Sequence, residues 1–193
     1  MTHRAIATLG LLSLVLVSNP VEAQDNPVVV IETNLGAITA ELYPSSSPLA
    51  VENFLQYAED GFYEGTIFHR IRKGTLIQGG GFNWGLQQKK PRDPIKNEAQ
   101  NRIKNEKGTL AVARSGGIHS GTAQFFINTN DNRDFDHKGM SVTKFGYAVF
   151  GKVTEGMDIV DTIENIKTTN RGGLRDVPTV PVIITGVHLV EPE

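Results

Sequence analysis

One group of side chains in this sequence has the residue types and spacing of a small polar site. Phe68, His69 and Arg70 follow one another on a short strand-like segment, and Gln78 lies within reach of a hairpin from them. Strict alternation along a strand predicts that Phe68 and Arg70 share one face and that His69 faces the other way. Arginine supplies a fork of hydrogen-bond donors, and glutamine supplies a donor and an acceptor. The pattern is therefore typical either of a binding site for a polar group or of a β-core with an arginine on its surface.

A second strand-like segment, residues 124–128, carries two adjacent phenylalanines next to Gln124. Successive side chains of a strand point to opposite faces, so Phe125 and Phe126 cannot both enter one core. One of them is predicted to enter the core while the other lines a surface pocket.

Residues for other common chemistries are missing. The sequence has no Gly-x-Ser-x-Gly motif for a hydrolase nucleophile, and the glycines at 79–81 are not followed by the lysine and hydroxyl of a phosphate-binding loop. No two histidines have the spacing of metal ligands. We therefore expect neither a cofactor nor a metal ion. A hydrolase or metalloprotein that uses His69, His119 and His137 with acidic residues is therefore only a minor alternative.

The composition is that of one globular domain. The chain has 193 residues, of which 39% are hydrophobic and 21% charged, with a formal charge of -2. This length suits a single domain, and the mixed charges predict no surface for nucleic acid or anionic lipid. Because the chain has no cysteine, its fold is expected to be stabilised by the core alone.

Residues 1–23 have the features of a secretory signal peptide. Arg4 provides the positive start, residues 5–17 are apolar but too few to span a bilayer, and residues 21–23 are typical of a cleavage site. We expect a mature protein that begins at Gln24 and forms one domain over residues 24–193, without membrane attachment. An uncleaved anchor or a buried strand is the alternative for the N-terminal segment.

Eight strand-like segments and two helices follow. The strands are predicted at residues 28–33, 37–42, 66–71, 76–79, 109–114, 125–128, 147–153 and 182–189. One helix is predicted to begin at Pro48 with Ser47 as its cap and to end at Gly61, and a second covers residues 157–166. These elements predict an all-β-dominated fold, a sheet closed on itself with helices at its ends, although periodicity does not distinguish a barrel from a sandwich.

Four separated motifs resemble, in order and spacing, the cyclophilin-type peptidyl-prolyl cis–trans isomerases. The motifs are Phe68-His69-Arg70-Ile71, Leu76-Ile77-Gln78-Gly79-Gly80, Gln124-Phe125-Phe126-Ile127 and Val149-Phe150-Gly151-Lys152-Val153. The resemblance covers residues 28–190 and is greatest to the periplasmic cyclophilins of Gram-negative bacteria, which agrees with the predicted signal peptide. It implies a closed eight-stranded antiparallel barrel capped by two α-helices.

The resemblance also implies roles for individual residues. Arg70 matches the family's catalytic arginine, and Gln78 matches the glutamine beside it. Ala113 and Arg114 match the strand whose backbone pairs with the substrate. The remaining matches lie in or around the substrate pocket: Leu76, Phe126 and Phe135 for the proline ring, with His69, Thr75, Gln124 and Tyr147 nearby.

Several positions depart from the family's pattern, among them Arg114 and Ser115, which replace a common Asn-Ala, and Phe135, which stands where the family usually has leucine. Thr75 stands where a pocket phenylalanine is often found, Asp134 where many eukaryotic members have tryptophan, and Tyr147 where many relatives have histidine. A less apolar pocket would favour an alternative function, a catalytically weak module or chaperone that binds proline-containing peptides on the same fold.

The function implied by the resemblance is assistance to the folding of exported proteins by faster rotation about X-Pro bonds. The expected partners are proline-containing polypeptides, with no nucleic acid. The expected location is the periplasm of a Gram-negative bacterium, and the protein is expected to be a monomer.

Overall fold

The computed structural model describes residues 26–190. Its strands, in chain order, are β1 (Val28–Thr33), β2 (Gly36–Leu42), β3 (Phe68–Arg72), β4 (Leu76–Gly79), β5 (Thr109–Val112), β6 (Phe125–Asn128), β7 (Val149–Glu155), β8 (Thr168–Arg171), β9 (Leu174–Pro178) and β10 (Ile184–Leu189). The α-helices are α1 (Pro48–Glu59) and α2 (Met157–Glu164), and short 3-10 helices cover Ala99–Asn101 and Arg133–Phe135.

Eight of the strands form one curled antiparallel sheet in the order β10-β1-β2-β7-β5-β6-β4-β3. Its edge strands β3 and β10 meet only through a bridge between Ile67 and Ile183 and a few neighbouring backbone hydrogen bonds, such as the Phe68 N–H to the Val182 carbonyl at 2.9 Å. The predicted eight-stranded barrel with two helices is confirmed. The barrel is less completely closed than expected, because no continuous ladder joins β3 to β10.

The core lies inside the curled sheet and beneath the helices. Ile38, Ala40 and Leu42 of β2 are fully buried, as the alternation of that segment predicts. Helix α1 places Phe54 and Tyr57 against the same core. One face of α1 is therefore largely apolar and packs on the core.

The start of α1 differs from the prediction. Ser47 is buried, and its hydroxyl donates to the Val149 carbonyl at 2.6 Å instead of accepting a hydrogen bond from the first turn. The carboxylate of Glu98 accepts from the backbone N–H groups of Leu49 and Ala50, at 3.1 and 2.9 Å. A residue distant in sequence thus satisfies the free N–H groups and places a negative charge at the positive end of the helix.

The hairpin of β8 and β9 was not predicted. Every residue of β8 is polar or charged and mostly exposed, so no apolar alternation marks it as a strand. Strand β9 lies against β3. At the tip, the Arg171 guanidinium stacks over the Trp84 ring, 3.9 Å from its centroid, and holds the hairpin to the loop after β4.

None of the helices within residues 26–190 has both the length and the apolar character needed to cross a bilayer. The predicted signal peptide, residues 1–23, lies outside the described residues.

Candidate active site

A groove of about 900 Å³ crosses the sheet on the face opposite to the main core. Ten of the eleven candidate residues line it: His69, Arg70, Leu76, Gln78, Ala113, Arg114, Gln124, Phe126, Phe135 and Tyr147. They come from segments separated by up to about 80 residues in sequence, and the order β5-β6-β4-β3 brings these segments side by side.

A β-bulge in β3 positions Arg70. Phe68 pairs with Gly79 and Arg70 pairs with Gln78. Two steps along β3 therefore correspond to one step along β4, and His69 is the extra residue of the bulge. Phe68 is consequently buried in the main core, whereas His69 and Arg70 line the groove. The prediction that Phe68 and Arg70 share a face is therefore wrong, because strict alternation fails across a bulge.

Arg70, Gln78 and Gln124 form a hydrogen-bonded row across β3, β4 and the start of β6. The Arg70 guanidinium donates to the Gln78 side-chain oxygen at 3.4 Å, and the Gln78 amide donates to the Gln124 side-chain oxygen at 3.0 Å. A Cβ atom at Gly81 would lie 2.5 Å from Cγ of Gln124, so glycine at this position leaves room for that side chain. The row restricts the orientation of Arg70 while leaving guanidinium N–H groups free to donate into the groove.

Asp176 of β9 supports Arg70 from the other side. Its carboxylate lies 3.6 Å from Nε of Arg70, and the two side chains are 41% and 37% exposed. Asp176 has a left-handed backbone conformation, with φ of 60°, which aspartate adopts more readily than most residues. Sequence reasoning missed Asp176 because the hairpin that carries it was not predicted.

Three aromatic rings form an apolar pocket beside this polar row. The Phe126, Phe135 and Tyr147 rings pack edge to face in each pairing, with centroids 5.1–5.7 Å apart. Leu76 and Ala113 complete the wall. Phe125 points the other way into the main core, so the prediction that the two phenylalanines divide between core and pocket is confirmed.

The edge of the groove next to β5 offers free backbone groups. Strand β5 ends at Val112, two residues earlier than predicted, and the Ala113 N–H is taken by the Gln124 carbonyl at 2.9 Å. The Arg114 N–H and carbonyl have no hydrogen-bond partner within residues 26–190. The Arg114 side chain stacks over Tyr147, 4.7 Å from the ring centroid, and so supports the pocket.

Two of the positions that depart from the family's pattern lie outside the groove lining. Thr75 is the one candidate residue that does not line it, and its carbonyl accepts from the Asn132 amide at 2.8 Å. Asp134 is 97% exposed, and its carboxylate accepts from the Lys138 ammonium at 2.7 Å, which lowers the pKa of Asp134. Neither residue makes the pocket less apolar, so the reason for expecting a weak binding module does not apply.

The groove extends beyond the candidate residues. Further lining comes from Phe82, Gln88, Pro91 and Pro94 of the loop after β4, from Ser115, Ser120 and Thr122 of the loop after β5, and from Arg72, Gly173, Leu174 and Arg175. The only feature of the sequence that pointed to the residues after β4 was the unusual length of their loop, since long loops are often functional. No group of three or more His, Cys, Asp or Glu side chains that could hold a metal ion occurs in the part of the chain that the structure describes.

His69 is neutral in the folded protein. Its pKa is lowered to about 4, mainly by burial and to a smaller extent by the neighbouring Arg70 charge, while a hydrogen bond with the Ile67 backbone acts in the opposite direction. The ring packs on Phe82 with centroids 4.6 Å apart, and its Nδ1 atom has no hydrogen-bond partner in the described structure. These contacts leave His69 as a wall of the groove and not as an acid or base near neutral pH.

This burial predicts a pH-dependent stability. An unfolded histidine binds a proton below about pH 6.5 whereas folded His69 does not until about pH 4, so stability is complete above pH 6.5 and falls by about 3 kcal/mol as the pH drops to 4. Urea unfolding across this range should show the loss in the parent protein and a smaller loss in His69→Leu. Carboxylates titrate in both proteins, so equal losses would contradict the assignment.

One protein family matches almost all of the described residues. The family described as "Cyclophilin type peptidyl-prolyl cis-trans isomerase/CLD" matches residues 28–189. This chain belongs to the cyclophilin-type peptidyl-prolyl cis–trans isomerases, and its enzyme class is that of an isomerase.

Bacterial relatives match nearly the whole chain. "Peptidyl-prolyl cis-trans isomerase B" of Escherichia coli is 48% identical over 85% of this chain and 100% of its own length. "Peptidyl-prolyl cis-trans isomerase A" of Dickeya dadantii is 40% identical over 96% of both chains. Among solved structures, a cyclophilin type isomerase of Cryptosporidium parvum, crystallised in the presence of the dipeptide Ala-Pro, is 27% identical with a TM-score of 0.70, over 86% of this chain and 99% of its own.

Proposed function

We propose that this isomerase accelerates rotation about X-Pro bonds with Arg70 as its catalytic residue and the aromatic pocket as the seat of the proline ring. The observation that carries the proposal is the position of the Arg70 guanidinium, held by Gln78 and Asp176 beside the apolar pocket. Rotation breaks no covalent bond, so the reaction needs no nucleophile and no acid–base pair.

The barrier to rotation is the resonance of the amide, about 18–20 kcal/mol. Resonance weakens when the prolyl nitrogen becomes pyramidal, and a hydrogen-bond donor aimed at that nitrogen favours this change. Arg70 can donate to the nitrogen through one arm of its fork and to a substrate carbonyl through another. Arginine stays charged at every working pH and His69 stays neutral, so the rate should be nearly flat between about pH 6 and 9.

One charged hydrogen bond is too weak to account for a fast isomerase alone. A 10⁵-fold acceleration requires about 7 kcal/mol, and a charged hydrogen bond contributes about 1.5–3 kcal/mol. The pocket of Phe126, Phe135 and Leu76 would supply much of the remainder by holding the ring while the acyl side turns. The twisted amide is less polar than the planar one, so an apolar wall favours it.

The substrates are proposed to be polypeptides that contain proline. The free N–H and carbonyl of Arg114 suit pairing with an extended substrate backbone at the β5 edge. The Cryptosporidium relative was crystallised in the presence of Ala-Pro, a dipeptide of this type.

We propose further that residues 1–23 direct export and that residues 24–193 act as a monomer in the periplasm. The N-terminal composition supports export, and the match to the Dickeya protein covers 96% of this chain and so reaches into the N-terminal segment. Sequencing the N-terminus of the protein recovered from a Gram-negative periplasm should read from Gln24. Recovery of the intact N-terminus in the cytoplasm would contradict export.

The test of the activity is cis–trans exchange in an Ala-Pro peptide followed by NMR. Uncatalysed exchange takes tens to hundreds of seconds, so catalysis by residues 24–193 is readily detected. Binding of the peptide by folded protein without faster exchange would contradict the proposal and favour a module that only binds proline-containing segments.

Asp176 is expected to act as a positioning residue for Arg70. Asp176→Asn keeps the size of the side chain and tolerates the same backbone conformation, but it removes the charge beside the guanidinium. Because both partners are partly exposed, we expect the maximal catalysed rate to fall only about 3- to 10-fold, with peptide affinity nearly unchanged. Saturation kinetics separates the two quantities.

The matched control is Asp161→Asn, which removes a similarly exposed ion pair with Lys107 (3.1 Å) outside the groove. It should leave both quantities unchanged. A loss of affinity in Asp176→Asn without a loss of maximal rate would mean that Asp176 does not act through Arg70.

A further inference from the structure

The charged residues that line the groove all carry the same sign. They are Arg70, Arg72, Arg114 and Arg175, and no aspartate or glutamate is among the lining residues. The whole chain has a formal charge of -2, so this concentration of arginine does not follow from overall composition.

Two of the four arginines are already engaged. Arg70 has Asp176 as its ion-pair partner. Arg114 donates to the backbone carbonyls of Val142 and Gly146, at 2.7 and 3.2 Å, and stacks on Tyr147. Arg70 belongs to the hydrogen-bonded row with Gln78, and Arg114 supports the wall of the aromatic pocket.

The other two arginines have no such partner. Arg72 and Arg175 are exposed, and within residues 26–190 neither side chain makes an ion pair or a hydrogen bond. Arg72 ends β3, and Arg175 lies on β9, which packs against β3. Both line the groove, so two free guanidinium groups share one rim, here called the arginine rim.

The arginine rim lies at the opposite end of the groove from the free backbone groups of Arg114. The order β5-β6-β4-β3 places two pocket residues, Leu76 of β4 and Phe126 of β6, between these two ends, and β9 packs against β3 without joining that sheet. A polypeptide that pairs with the β5 edge and seats its proline in the pocket therefore leaves the groove past Arg72 and Arg175.

We propose that the arginine rim binds a carboxylate side chain of the substrate within a few residues of the proline, on one side of it. This specificity rests on the proposed isomerase function and adds a substrate class, acidic proline-containing segments. Glutamate and aspartate are the anionic side chains of an ordinary polypeptide, and a guanidinium fork matches their geometry. A lysine at the same place would meet two uncompensated positive charges.

The test compares peptides that carry Glu, Gln or Lys at each of three positions before and after one Ala-Pro bond. Catalysed exchange is measured below saturation by NMR. We expect Glu on one side of the proline to exceed Lys at the same position by about five-fold at about 20 mM salt. The ratio should fall below about two-fold at about 0.5 M salt, because exposed charges are screened.

A double variant, Arg72→Gln with Arg175→Gln, should bring the Glu-to-Lys ratio close to one. The control is Arg102→Gln with Lys152→Gln, which removes the same charge from positions that do not line the groove. This control variant should keep the Glu-to-Lys ratio of the parent protein, because a change of net charge alone does not alter a preference for one position of the peptide.

Three outcomes would overturn the inference: equal rates for all peptides, a preference that is independent of position, or the same change of ratio in both double variants. None of these affects the isomerase activity itself. Failure to accelerate any of the peptides would instead overturn the proposed function.

Discussion

Arg70→Ala should lower catalysed exchange by about 100-fold or more, since it removes a charged hydrogen bond to the twisted amide and a second donor to the substrate carbonyl. Stability should change little, because the side chain is 37% exposed and lies outside the apolar core. Exchange in an Ala-Pro peptide by NMR gives the rate, and urea unfolding gives the stability.

Arg70→Lys refines this prediction. Lysine keeps the charge but presents a single ammonium group in place of a planar fork, so we expect activity to remain at least about 10-fold below the parent. Lys107→Ala is the control, because it removes an exposed, ion-paired cation outside the groove and should not change the rate. Parent-like activity in a folded Arg70→Ala would assign catalysis to other residues. Unfolding of both Arg70 variants would make its role structural.

Phe126→Leu should weaken substrate binding by about 10-fold, which corresponds to about 1.4 kcal/mol. The Phe126 ring packs edge to face with Phe135 and Tyr147, and leucine cannot replace either contact or cover the same area. NMR titration of a proline peptide measures the dissociation constant.

Phe125→Leu is a matched control on the neighbouring residue. Phe125 is equally buried but packs with Phe54, Tyr63 and Phe68 in the main core. Both variants should lose about 1–2 kcal/mol of stability, and only Phe126→Leu should lose affinity. Equal losses of affinity would mean that the pocket does not hold the proline ring.

Alternation along the strands predicted one part of the site correctly and another part wrongly. Strand β6 pairs with β4 and β5 in unbroken register, so alternation assigned the faces of Phe125 and Phe126 correctly. In β3 the same reasoning failed at Arg70, because the bulge at His69 inserts an extra residue that no local sequence pattern marks. Alternation is reliable only where the register is continuous.

The missed parts of the site share a physical cause. Asp176, Leu174 and Arg175 lie on a hairpin whose first strand, β8, is polar throughout, so no alternation marks it, and the hairpin packs on β3 and Trp84. Glu98 caps α1 from a distant loop for a similar reason: the tertiary fold, not the neighbouring sequence, brings its carboxylate there. Thr75 was placed in the pocket by alignment alone, and its side chain does not line the groove.

The incomplete closure between β3 and β10 has a consequence for the extended, proline-containing polypeptides that we propose as substrates. An exposed strand edge is a template on which another extended chain can pair and begin to aggregate. Here the bulge at His69 interrupts the regular spacing of β3, and β9 packs against that strand. We therefore expect a substrate to pair with the short edge at Arg114 and not with the edge of β3, which β9 covers.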